Sequence, residues 1–127
     1  MTKAEALFDF WSRFGLPAYE EHAIPSKKDA YAPDYPYLTY EVKTDRFGVT
    51  VPLTASLWYR SASWKAANEK EREISEYIGS DGIFLDCDGG ALWICRGEIF
   101  ASRKGDSSDE MIRRIDINVS VEFWTED

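Results

Sequence analysis

The stretch from Val49 to Tyr59 constrains this chain more than any other. Val49, Val51, Leu53, Ala55, Leu57 and Tyr59 alternate with Thr50, Pro52, Thr54, Ser56 and Trp58. Period-two alternation of this length marks a long strand with one buried and one exposed face. A second such run lies near the end of the sequence. Ile115, Ile117, Val119, Val121 and Phe123 alternate with Asp116, Asn118, Ser120, Glu122 and Trp124. Two half-buried strands need a layer over their apolar side, so the fold must be a sheet covered by other elements.

Two helical patterns supply that layer. Thr2 and Glu5 have capping-box spacing, and Leu7, Phe10, Trp11 and Phe14 then form one apolar stripe before Gly15 and Pro17 stop the helix. The second helix is expected over 62–78, with Ser61 or Ser63 as its cap and Gly79 as its stop. Its apolar positions are Trp64, Ala67, Ile74, Tyr77 and Ile78, and charged residues cover the rest.

Shorter strands are expected over 18–24 and 38–42, with a turn at Thr44-Asp45-Arg46. Strands over 83–86 and 92–95 flank Asp88-Gly89-Gly90, a strong hairpin signal, and another is expected over 98–102. The resulting expectation is an α+β fold. An antiparallel, mostly meander sheet carries two helices on one face, in a single domain spanning 1–127. A chain of 127 residues suits one hydrophobic core.

Residues 16–36 are irregular, punctuated by four prolines and carrying Tyr19, Tyr31 and Tyr35. Within them 25–34 shows no period. Such segments are often binding loops, and tyrosines suit interfaces, so a subunit contact and a plain surface loop fit equally well. Pro52 cannot donate to a ladder and therefore marks a sheet edge or a bulge. An unpaired edge is a place where a neighbouring subunit can add a strand.

Fifteen basic and 23 acidic residues give a net charge of −8. That charge opposes adhesion to nucleic acid and to anionic membranes. The longest uncharged stretch, 47–59, is too short to span a bilayer, and the sequence opens without an apolar signal region. Synthesis in the cytosol is the expectation. One histidine, His22, and two cysteines, Cys87 and Cys95, do not make a zinc set. The cysteines read as reduced, half-buried strand residues.

Asp86 with Asp88 is the most enzyme-like feature, since paired carboxylates can act as acid and base. Asp88 is also the natural first residue of a hairpin turn. Asp106, Asp109 and Glu110 do not have the spacing of a calcium loop. No phosphate-binding loop and no nucleophile elbow is present. The residues therefore predict a structural or interaction protein, with no enzyme activity and no cofactor. A small hydrolase using Asp86 and Asp88 is a remote alternative.

Several stretches resemble one protein group. They are Leu38-Thr39-Tyr40-Glu41-Val42, Ser56-Leu57-Trp58-Tyr59-Arg60-Ser61 with Ser63-Trp64, and Asp88-Gly89-Gly90 with Leu92-Trp93-Ile94. To these are added Arg96-Gly97 with Phe100-Ala101, and Met111-Ile112-Arg113-Arg114 leading into Asn118-Val119 and Phe123. The chain resembles, over nearly its full length, the tail terminator or tail completion proteins of tailed phages and prophages of Gram-positive bacteria. Neck proteins of similar size, the head–tail connectors or stoppers, are the alternative within that group.

The resemblance implies a virion protein made in the host cytoplasm and placed in the tail or neck. It would form a hexameric ring that caps the tail tube, ends polymerisation and offers a face to the head connector or stopper. Its partners would be itself and the major tail tube protein, with DNA passing through unbound. Tyr31, Tyr35, the edge at Pro52, Arg60, Arg113 and Arg114 are the candidate subunit contacts. An acidic wall would repel passing DNA. Acids are therefore expected on the surface facing the hole, and arginines at subunit contacts.

Overall fold

The computed structural model describes residues 1–23 and 34–126. Helix α1 spans Lys3–Trp11 and continues as a tight helical turn over Ser12–Phe14. Its capping box is complete. Thr2 Oγ1 accepts from the Glu5 N–H at 3.1 Å, and the Glu5 carboxylate accepts from the Thr2 N–H at 2.9 Å. Leu7, Phe10, Trp11 and Phe14 are all buried, and Gly15 ends the turn at φ 77°.

Six strands follow: β1 Ala18–Glu20, β2 Tyr37–Tyr40, β3 Thr50–Arg60, β4 Ile83–Cys87, β5 Gly90–Lys104 and β6 Ile112–Thr125. Helix α2, Lys65–Ile78, lies between β3 and β4 in the chain. The strands form one curled sheet in the order β1-β2-β3-β6-β5-β4. Two sequential pieces, β1-β2-β3 and β4-β5-β6, are joined by the long β3–β6 pairing from Thr50↔Glu122 to Arg60↔Ile112.

The expected antiparallel sheet needs one correction, because β1 pairs with β2 in parallel, making the sheet mixed. Side-chain alternation is the same in both directions, so it carries no information on strand direction. Connection length does carry some. Sixteen residues separate Glu20 from Tyr37, and a parallel neighbour needs a crossover of about a dozen or more.

Several boundaries also move. β1 stops at Glu20 and β2 runs Tyr37–Tyr40. The expected strands over 92–95 and 98–102 are one strand, β5, interrupted by a bulge. α2 starts at Lys65 rather than near Ala62. The turn before it is tied down by Trp64, whose ring lies under the guanidinium groups of Arg103 at 4.7 Å and Arg113 at 5.5 Å. Ser63 Oγ accepts from the Lys65 N–H at 3.0 Å.

Both helices pack on the concave face. α1 touches the two edge strands β1 and β4, and α2 touches β3, β5 and β6. Between them and the sheet lies the core, built on Leu53, Leu57, Ile94, Ile117, Val121 and Phe123 with Phe10, Trp11 and Ile74. Each such side chain contributes about 1.5–3 kcal/mol by leaving water. Among the described residues no helix covers the convex face.

Candidate interaction surface

Strand register sorts the convex face into rows. Lys104, Arg114, Trp58 and Tyr37 cross one end. Ser102, Asp116, Ser56 and Thr39 form the next row, and Asn118 with Thr54 another. Phe84, Trp93, Glu122 and Thr50 cross the other end, beside Asp86, Ala91 and Trp124.

The middle rows satisfy themselves. Thr54 Oγ1 donates to Asn118 Oδ1 at 2.7 Å, and Ser56 Oγ donates to Asp116 Oδ1 at 2.8 Å. The Trp58 indole N–H donates to Thr39 Oγ1 at 2.9 Å. Thr39 and Ser56 are buried although they face outward. Such paired polar groups offer few unmet donors or acceptors to a partner.

The first end is a ladder of rings. Tyr35 lies 5.4 Å from Tyr37, and Tyr37 stacks on Trp58 at 5.9 Å with planes 10° apart. Arg114 covers Trp58 at 4.7 Å and binds Asp116 at 2.8 Å. Burial, reinforced by Tyr35, pushes the Tyr37 phenol up to about 12.

The structure brings together some of the residues expected at a subunit contact. Tyr35 and Arg114 share this ladder. Arg60 lies at the same end of the sheet, bound to Asp109 at 2.8 Å, and that partner raises its guanidinium pKa further. Arg113 turns to the opposite face, where it donates to the Ala62 and Glu110 carbonyls and stacks on Trp64. All three arginines therefore already have partners within the chain. Pro52 lies six residues from Trp58 along β3, about 20 Å away. It sits on the part of β3 that β2 does not reach, so the edge expected at Pro52 is present locally. Tyr31 and residues 25–33 of the 25–34 loop lie outside the described residues.

The other end of the face was not singled out by sequence reasoning. Phe84 is 62% exposed and stacks on Trp93 at 5.7 Å with planes 7° apart. Trp124, 44% exposed, meets the edge of Phe47, which is 62% exposed. The Trp93 indole N–H donates to the Asp81 carbonyl at 3.0 Å, which fixes the ring. A signal was available, because Trp124 falls on the polar parity of its strand and must point away from the core.

Acids are unevenly placed. On α2, Glu69, Glu71, Glu73 and Glu76 are interspersed with Lys70 and Arg72. Beside β4, by contrast, Asp86 and Glu122 have no ion pair among the described residues. Asp88 is 72% exposed and holds the terminal ammonium of Met1 at 2.8 Å. It is thus a turn residue clipped to the N-terminus, as its hairpin position suggests. His22 is exposed, 3.4 Å from Glu21. Both cysteines are half-buried and unbridged, and burial raises both thiols. Among the described residues no group of three or more His, Cys, Asp or Glu is arranged to hold a metal ion. Among the described residues no helix is long and apolar enough to cross a membrane.

Comparison of the chain with protein-family models, curated proteins and solved structures finds no match.

Proposed function

We propose that this chain is a structural virion protein of a phage tail or neck. It caps the tail tube, ends polymerisation and presents the head-joining face. The resemblance of the sequence stretches quoted above, spread over nearly the full length, is the observation that carries this reading. The convex face, which no described helix covers, adds support, since an assembly protein needs broad contact surface rather than a pocket, and large exposed aromatic patches commonly mark such contacts.

In this reading the protein acts as a closed homo-oligomeric ring, hexameric by resemblance, through which DNA passes unbound. Ring closure needs two different surfaces on each subunit, because every contact is heterologous. The Tyr35–Tyr37–Trp58 ladder with Arg60 and Arg114, and the β3 edge at Pro52, are candidates for one of them. Arg113 fits that role less well, as its guanidinium braces the turn before α2.

Deleting the gene in the phage or prophage that encodes it tests the proposal. The expected result is tails of uncontrolled length that do not join heads. Normal-length tails joined to heads would refute it. Tails of normal length that leak DNA or fail to join would instead indicate the connector or stopper, and locating the protein in virions by cryo-electron microscopy separates the two.

A further inference from the structure

We propose that the convex face beside β4 docks an extended, arginine-bearing segment of a partner protein. The two ends of the face carry the same chemistry in different states of completion. At the ladder end, a tryptophan, an arginine and a carboxylate form a closed set: Trp58, Arg114 at 4.7 Å, and Asp116 at 2.8 Å from Arg114. At the β4 end, Trp93, Phe84 and Trp124 lie among Asp86 and Glu122 in adjacent rows. Neither carboxylate has a cation there among the described residues. The rings and the anions are the acceptor half of that set.

The guanidinium group is the cation that completes it. It is planar, stacks on aromatic faces and meets carboxylates through a fork of donors, whereas an ammonium is a compact, strongly hydrated charge. Charge also selects against other occupants. Nucleic acid is repelled by the acids of a chain whose net charge is −8.

The backbone beside these rings offers a track for an extended segment. The Phe123 N–H donates to the Val49 carbonyl, which fixes the phase of the β3–β6 ladder. Following register through β6 and β5 places the bonds to β5 at Ile83, Leu85 and Cys87. The N–H and C=O groups of Phe84 and Asp86 therefore point away from the sheet. Asp88, next in that series, donates its N–H to the Met1 carbonyl at 2.7 Å, so this edge already accepts backbone partners. A segment added there places alternate side chains beside Phe84 and Asp86 on the convex face. This proposal is independent of the tail-assembly reading.

Amide and indole NMR spectra of the full chain, titrated with blocked peptides alternating Arg with Val, Lys with Val, or Glu with Val, test it. The Arg–Val peptide should move the Trp93 and Trp124 indole resonances and the amides of β4. The Lys–Val peptide should bind severalfold more weakly, and the Glu–Val peptide not at all. Asp86→Asn should weaken Arg–Val binding by about two- to fivefold, and Glu122→Gln, two strands further in, by less, while both leave the protein folded. Absence of shifts at millimolar peptide, equal binding of the lysine peptide, or shifts centred on α2 would overturn the proposal. A concentration-dependent dimer of the free protein that Phe84→Ser abolishes would also overturn it, because the occupant would then be a second copy.

Discussion

Ile99 should be replaceable by glycine with a gain in stability. It sits in the bulge of β5, where the four residues Gly97 to Phe100 oppose Asn118 alone. Its φ is 48°, and it is the one non-glycine residue with positive φ among the described residues. A β-branched side chain in that region costs roughly 1–2 kcal/mol through contact of Cβ with the backbone. The side chain recovers little of this, since the residue is 79% exposed. What holds the backbone is Asn118, whose Nδ2 donates to the Ile99 carbonyl at 2.8 Å while its Oδ1 accepts from Thr54. Ile99→Gly removes the strain but adds about 0.5–1 kcal/mol of unfolded-state entropy. The net expectation is a gain of about 0.5–1 kcal/mol. Urea unfolding should show a higher midpoint at unchanged slope. Ile99→Ala keeps the Cβ and should gain little. A glycine variant less stable than the parent by 1 kcal/mol or more, a threshold set by the ~1 kcal/mol typical of point substitutions, would refute the reasoning and show that the isoleucine is held by packing.

Three further outcomes follow from the same structure. Gly90→Ala should destabilise by about 2–4 kcal/mol, since a Cβ there would lie 1.9 Å from the Trp124 carbonyl oxygen at φ 154°; thermal melts of the two proteins check it. Trp11→Phe should cost only about 1 kcal/mol despite complete burial, because it also removes an indole N–H that has no partner among the described residues, whereas Phe10→Ala should cost about 3–5 kcal/mol; denaturant titrations compare them. Stability should fall as pH rises from about 10 to about 12, because the unfolded chain loses the Tyr37 proton near its ordinary value of 10.0 while the folded chain keeps it to about 12; phenolate absorbance and unfolding at several pH values test the sign.

The parts of the fold legible in the sequence are those with a strong local cause. The capping box, the aromatic stripe of α1 and the alternation of β3 and β6 each depend on residues within one element. The parallel β1–β2 pairing depends on a connection and a partner strand, neither of which alternation encodes. The continuity of β5 was hidden because the bulge at Gly97–Phe100 breaks period two without ending the strand. The surface was partly legible. Tyr35 and Arg114 prove to share a ladder, but Arg113, adjacent in sequence to Arg114, necessarily points to the other face of its strand. The β4 end stayed unseen because Phe84, Trp93 and Trp124 come from three strands, and only the register sets them side by side.

That register also explains why the two ends of the convex face differ in how completely their side chains are paired within the chain. Two helices, each about 10 Å across, cover at most one side of six strands spaced about 4.8 Å apart. The curl of the sheet and the position of α1 against both edge strands commit them to the concave side. The opposite face must then be stable in water or covered by another molecule. Its middle is stable because hydroxyl, amide and carboxylate groups pair across β2, β3 and β6. Its Trp58 end is closed by Arg114. At the β4 end, rings and carboxylates are preorganised by the Trp93–Asp81 hydrogen bond and the Phe84–Trp93 stack, so a partner bearing guanidinium groups would meet a surface that needs little ordering. Loosening that order by Trp93→Leu, which removes both the stack and the hydrogen bond, should therefore weaken binding of the Arg–Val peptide more than loss of either carboxylate charge.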